Sequence, residues 1–181
     1  MIKNKDPNKL EKEGKTAFKK GNFIEAEKLF HDAELSYLAI SENLAAAEMA
    51  NNRSVALLQA DDAIKALEVV NGTDDIFAEV GDRHRQALAI GNKAAALEEL
   101  GSLEEAAEAY ETSATLLKEI GESDLRASVM QSLSAVQIKQ GHQLQALATM
   151  QSGLENIKHP NPKQRVVKKL LQVPLNLLNR K

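Results

Sequence analysis

Apolar and polar positions along this chain recur in blocks of forty. Gly21, Asp61, Gly101 and Gly141 share one repeat position, and Ala26, Ala66, Ala106 and Ala146 another. Phe30, Val70, Tyr110 and Met150 make a third column; Ser41, Gly81 and Gly121 make a fourth. A fixed period of this size marks a stacked-repeat protein, because no unit can bury its apolar face alone. Within each block, apolar spacings of three and four predict two helices. In the third block, Asp82 is placed to cap a helix through Leu88, Ile90, Ala94, Leu97 and Leu100, and Gly101 to close it. Ser102 and Glu105 then spell an S-x-x-E capping box ahead of a helix carrying Ala106, Tyr110, Ala114, Leu117 and Ile120. The fourth block repeats this grammar over about 123–140 and 142–157. The first gives helices near 8–20 and 22–40, with Ser41 as the next cap.

The second block is irregular. Asp61-Asp62 stands where the others place a turn glycine, and Asn71-Gly72-Thr73-Asp74-Asp75 is turn-and-cap sequence where they stay helical. A break near Gly72 is expected, with 76–80 as a short resumed helix and both aspartate pairs as caps. After His159-Pro160-Asn161-Pro162, one helix face carries Val166, Val167, Leu170, Leu171 and Val173, opposite Lys163, Arg165, Lys168 and Lys169. An open stack needs its last apolar face covered, so 161–181 reads as a basic amphipathic capping helix. Residues 1–160 then form the array, in units 7–40, 41–80, 81–120 and 121–159. The rival reading of the tail, a helix lying on an acidic membrane surface, lacks an aromatic anchor.

Composition agrees with an all-α fold. Apolar residues are 43% of the chain but aromatics only 3%, so the interior must be Ala, Leu, Ile and Val, with Ala and Leu the best helix formers among them. The prolines, at 7, 160, 162 and 174, lie at or beyond the ends of the repeated region. With no cysteine there is neither a disulfide framework nor thiolate chemistry, which fits a reducing compartment. No signal peptide and no membrane span are expected, and the cytoplasm is the expected location. Charge is uneven: residues 21–160 hold 23 acids against ten Lys/Arg, or −13, whereas 161–181 hold six bases and no acid, or +6. The plain reading is solvated helix faces; the sharper one is an acidic body that favours a basic partner, or contact between copies.

At these columns the chain resembles the tetratricopeptide repeat (TPR) family over nearly its full length. The pattern reads Gly14…Gly21-Asn22-Phe23…Ala26…Phe30…Ala33 in block one and Ala94…Gly101-Ser102-Leu103…Ala106…Tyr110 in block three. The forty-residue period, with the joints Glu79-Val80-Gly81-Asp82 and Glu119-Ile120-Gly121-Glu122, is similar to a longer-repeat branch of that family. The resemblance implies a right-handed superhelix of four helix-turn-helix repeats whose first helices line a concave groove for a peptide or a partner helix. It places Lys12, Lys15, Asn52, Val55, Gln59, Asn92, Ala95, Glu99, Gln131, Ser132 and Ala135 in that groove. Asn52 and Asn92 lie one period apart, and an amide can donate to and accept from a backbone at once, so a ladder of them could hold an extended peptide. The alternative is that both merely stabilise neighbouring turns or meet water. Where the family's chaperone-tail binders clamp a carboxylate with Lys, Asn and Arg, this chain has Glu11, Lys15, Asn52, Leu88 and Asn92, and only Asn52 matches.

No catalytic signal stands out. His31, His84, His142 and His159 are isolated, without metal-ligand spacing. Neither a G-x-x-x-x-G-K-[ST] phosphate loop nor a G-x-S-x-G elbow is present. An acidic body with few aromatics is a poor nucleic-acid binder. The expectation is a non-enzymatic protein-interaction scaffold with no cofactor and no metal, a protein or peptide partner, and self-assembly, for instance as a homodimer, as the alternative.

Overall fold

The computed structural model describes residues 6–155 without a gap, and after them positions 157, 160, 162, 165–167 and 169. Among the described residues there are nine helices and no strand. They are α1 (Pro7–Lys19), α2 (Phe23–Ala39), α3 (Asn43–Gln59), α4 (Ala63–Val70), α5 (Thr73–Glu79), α6 (Arg83–Glu99), α7 (Leu103–Glu119), α8 (Ser123–Lys139) and α9 (Gln143–Leu154). Helices adjacent in sequence pack on one another, except that α4 and α5 each pack on α3 and α6; α3–α6 and α6–α8 also touch, so the pairs stack as an open all-α solenoid. The basic segment read as a capping helix lies outside the described residues apart from scattered positions.

One joint, repeated, generates the stack. The left-handed residues Gly21, Ser41, Asp61, Gly81, Gly101, Gly121 and Gly141 follow at intervals of 20 and have φ between 60° and 82°. At each, the next residue's N–H reaches back to the carbonyl five positions earlier, as in Asn22 to Ala17 (3.0 Å), Ser102 to Leu97 (3.0 Å) and His142 to Gln137 (2.8 Å). This is the Schellman closure, which satisfies the last carbonyls of one helix. The same residue also begins the next helix. Ser41 therefore ends α2 rather than capping α3, whose N-cap is Glu42; likewise Asp61 ends α3 and Asp62 caps α4.

Side-chain capping is rarer than the sequence suggests. The carboxylates of Asp62 and Asp82 accept from the backbone N–H of Lys65 and Arg85, but Ser102 makes no cap bond, so its capping box does not form. Asn22, Glu42 and Glu122 at the equivalent joints make no side-chain cap bond either. Asp74 and Asp75 sit in the first turn of α5, whose N-cap is Gly72.

The alanine column is buried throughout: Ala26, Ala66 and Ala106 have no exposure and Ala146 only 1%. Facing residues are matched in size. Gly14 lies against the ring of Phe30, which joins Leu10, Ala33, Tyr37 and Met49 in the first core cluster. Ala94, Tyr110, Leu133 and Val136 belong to a second cluster between the third and fourth pairs. The expected break in block two is present. Asn71 is extended (ψ 127°), Gly72 is left-handed (φ 80°), and helix resumes at Thr73, three residues earlier than the sequence reading placed it. The Thr73 hydroxyl pins the break, lying 2.7 Å from the Val70 carbonyl and 3.4 Å from buried Asn51 Oδ1. At the far end α9 stops at Leu154, short of the expected Ile157.

Candidate binding face

Each first helix keeps one stripe out of the core. On α3 it runs Glu48, Asn52, Val55, Gln59; on α6, Leu88, Asn92, Ala95, Glu99; on α8, Ser128, Ser132, Ala135, Lys139. Steps of four, three and four hold a line along a helix of 3.6 residues per turn. The eleven residues expected to line a groove all fall on α1, α3, α6 or α8, and none is buried. Lys12, Lys15, Gln59, Glu99, Gln131 and Ala135 are exposed; Asn52, Val55, Asn92, Ala95 and Ser132 are half-buried. The opposite side of α3 carries Ala46, Ala50 and Leu57, all buried.

Ion pairs cross this face from helix to helix. Lys15 binds Glu11 within α1 and lies 4.0 Å from Glu48 on α3. Arg85 on α6 approaches Glu48 to 3.3 Å and its own N-cap Asp82 to 2.6 Å, and stacks 5.2 Å over the Phe77 ring. Hydrogen bonds from the Arg85 backbone and side chain hold Asp82 below the usual carboxylate range, the backbone bond being the larger cause. Further along, Lys139 on α8 donates to Glu98 on α6 at 2.8 Å, which raises the lysine's pKa. Tyr110 Oη donates to the same carboxylate (3.0 Å); burial first, then that negative charge, pushes its pKa up. Tyr37 Oη reaches Glu11 at 3.0 Å, and burial followed by this hydrogen bond raises it to about 12. Such half-exposed pairs are worth little singly, but together they fix how successive first helices are staggered.

Lys15 is therefore not a free cation on this face, and the pairing partners Glu48, Arg85, Glu98 and Lys139 were not among the sequence candidates. Their signal is in the sequence as alternating charge at near-period steps: Lys15 to Glu48 is 33 residues and Glu48 to Arg85 is 37. Also unforeseen is Arg53, which leaves α3 on its other side to bind Glu27 (3.0 Å) and Glu34 (2.7 Å) of α2. Asn52 stands apart: its Nδ2 is shielded from solvent and has no hydrogen-bond partner. A buried amide left in that state costs about 1–3 kcal/mol, so it is a donor in want of an acceptor.

The histidines are scattered. His84 Nδ1 lies 3.7 Å from Glu122, His142 precedes α9, His31 Nδ1 is buried without a partner, and His159 is outside the described residues. Among the described residues no group of three His, Asp or Glu could hold a metal ion, and no helix is long and apolar enough to cross a membrane.

No protein-family model and no curated protein matches the sequence. Solved structures do resemble the fold. One is the crystal structure of nearly identical TPR-like repeats of a candidate kinesin light chain from Podosopora anserina, with TM-score 0.73 and 12% identity, covering 98% of this chain and 100% of that one. A single-residue variant of the same repeats gives TM-score 0.72 and 14% identity, covering 94% and 90%. At such identity the likeness speaks for architecture alone. With consecutive helix pairs, a constant joint and near-complete structural overlap, this chain has the TPR-like repeat fold.

Proposed function

We propose that the chain is a non-catalytic scaffold or adaptor that holds a peptide or helix of a partner protein in a concave groove lined by its first helices. The observation that carries this reading is the stripe that the core leaves free on the first helices, in which Asn52 stands half-buried between Glu48 and Val55. Asn92, one period on, extends the row. Together the two amides address a peptide backbone, while Val55 and Ala95 offer apolar contact and Lys12, Gln59, Glu99 and Gln131 the rim. Lys15, Ser132 and Ala135 complete the lining. Residues 1–160 are the binding array and 161–181 a separate tail. An acidic body and a cysteine-free chain fit a protein partner rather than nucleic acid, and a cytoplasmic setting.

The test is affinity capture from native lysate with the unaltered chain and with Asn52→Ala/Asn92→Ala. The double variant is expected to keep its far-ultraviolet spectrum and to melt no lower, since Asn52 forfeits no hydrogen bond, yet to lose its captured partners. Prey retained in full by the variant removes the groove from the account.

A further inference from the structure

One junction of the repeat lacks the charge pairs that close the next. Where the end of α7 meets the start of α6, Arg83 pairs with Glu119 and His84 faces Glu122. One period earlier the places of Arg83 and His84 are taken by Asn43 and Leu44, neither of which carries a charge. Among the described residues no ion pair involves Glu79, the counterpart of Glu119, or Glu42 at the same joint.

The break at Asn71–Gly72 adjoins this junction and opens a cleft of about 650 Å³ between the end of α2, the start of α3 and α5. Ala46, Ala47 and Ala50 form its floor, and Leu38, Leu44, Ile76 and Val80 its walls. Leu38 and Val80 are 48% and 56% exposed. Glu42 and Glu79 stand at the rim, Glu34 is already held by Arg53, and no lysine or arginine lines the space. At about 100° per residue, the floor alanines lie on the far side of α3 from Asn52, Val55 and Gln59. This surface is thus separate from the peptide-binding stripe and independent of that reading.

We propose that the cleft docks the basic apolar segment 163–178 of a second copy of this chain. The chemistry is complementary. Val166, Val167, Leu170 and Leu171 recur at helical spacing to meet apolar walls, and Lys168 and Lys169 beside them meet the unpaired Glu42 and Glu79. Long-range charge agrees: +6 over 161–181 against −13 over 21–160. Val166 is 58% exposed on its own molecule, so its apolar surface is left uncovered there. Arg165 Nε donates to the Pro160 carbonyl (3.1 Å), which keeps the start of the segment close to the residues that follow α9. The cleft is in the second pair and the segment follows the fourth, with α6 to α9 between, and the occupant is assigned to a second molecule. Exchange in both directions closes a two-fold dimer.

Sedimentation equilibrium of the full chain, at low and high salt, tests this. The expected result is reversible self-association that weakens with salt. Glu42→Lys/Glu79→Lys, with an unchanged circular dichroism spectrum, is expected to weaken it about tenfold or more. Adding Lys168→Glu/Lys169→Glu to that chain restores association by exchanging the charges. A chain monomeric at every concentration overturns the proposal, as does association indifferent to the rim reversal. Association lost on rim reversal but not regained by the compensating pair overturns the assignment of 163–178 as occupant.

Discussion

Replacing Gly14 by alanine sets helix propensity against packing at one atom. In an exposed helix interior the change stabilises by about 1 kcal/mol. Here the added Cβ would stand 2.7 Å from Phe30 Cε1 and 2.8 Å from Cδ1. Carbon atoms prefer about 3.5–4.0 Å, so the ring must retreat by about 1 Å. It has little room to do so: Phe30 is 2% exposed and shares its cluster with Leu10, Ala26, Ala33 and Met49. Overpacking of this kind costs about 1–3 kcal/mol, which outweighs the propensity gain. The expected net loss is about 1 kcal/mol, or a fall of about 2–4 °C in melting temperature for a domain of this size. Urea unfolding of Gly14→Ala, Phe30→Leu and the pair isolates the contact. The smaller side chain at position 30 should absorb the new methyl, so the double variant is expected to be more stable than the sum by about 1 kcal/mol. A Gly14→Ala protein that gains stability, or strict additivity in the cycle, would show that the ring does not rest on the glycine.

One joint and two tyrosines offer further checks. Ser41 has φ 61°, a conformation that costs a non-glycine residue about 1–2 kcal/mol, so Ser41→Gly should raise the unfolding free energy measured in urea by about 1 kcal/mol, whereas Ser41→Ala should not. The chain has two tyrosines and no tryptophan, so absorbance near 295 nm reports tyrosinate alone. Both phenols have folded pKa values raised above the unfolded value of about 10, so their contribution is complete below pH 10 and disappears as pH climbs through 12, the value for Tyr37. Alkaline titration should therefore show delayed ionisation coincident with loss of helix; free ionisation near pH 10 with the fold intact contradicts it.

The period was legible because every joint spends the same residues in the same way. A left-handed position must recur wherever two rods turn, and glycine advertises it at 21, 81, 101, 121 and 141. Ser41 and Asp61 adopt the same backbone without the advertisement, so the sequence suggested caps there. Knowing that the joint closes by a backbone bond would have placed both correctly, because the residue after the left-handed one is then the N-cap in every case. The free stripes were also readable, since helical spacing separates Asn52, Val55 and Gln59 from Ala46, Ala50 and Leu57. The cross-helix pairs of Glu48, Arg85 and Glu98 were not. Their partners lie almost one period away, and the stagger of neighbouring helices, which only packing decides, selects which charges meet. The cleft escaped notice for the same reason: it lies where packing sets the break at Asn71–Gly72 beside the ends of α2 and α3.

The break in block two has a local cause that can be tested. Residues 63–79 span as many positions as the unbroken α7, so no insertion forces it. In block three Gly91 faces Ser113, whose Oγ would lie 3.3 Å from a Cβ added at 91. The corresponding pair in block two is Asn51 and Thr73, and in blocks one and four Ala33 and Gly153 keep one member small. Only Asn51 and Thr73 are both branched, so a continuous helix would drive them together. The chain escapes at Asn71–Gly72, two poor helix formers, and turns the conflict into a hydrogen bond. Gly72→Ala alone should keep the break and lose about 1 kcal/mol, since alanine must then bear a φ of 80°. Asn51→Gly with Gly72→Ala removes both wedge and turn, and is expected to give one helix from 63 to 79. Amide exchange reads the difference. Thr73, Asp74 and Asp75 now occupy a first turn, whose N–H groups lack intrahelical acceptors, and they should become protected in the double variant. Stabilisation by Gly72→Ala alone, or continued fast exchange at 73–75 in the pair, would mean that something other than this crowding parts the helix.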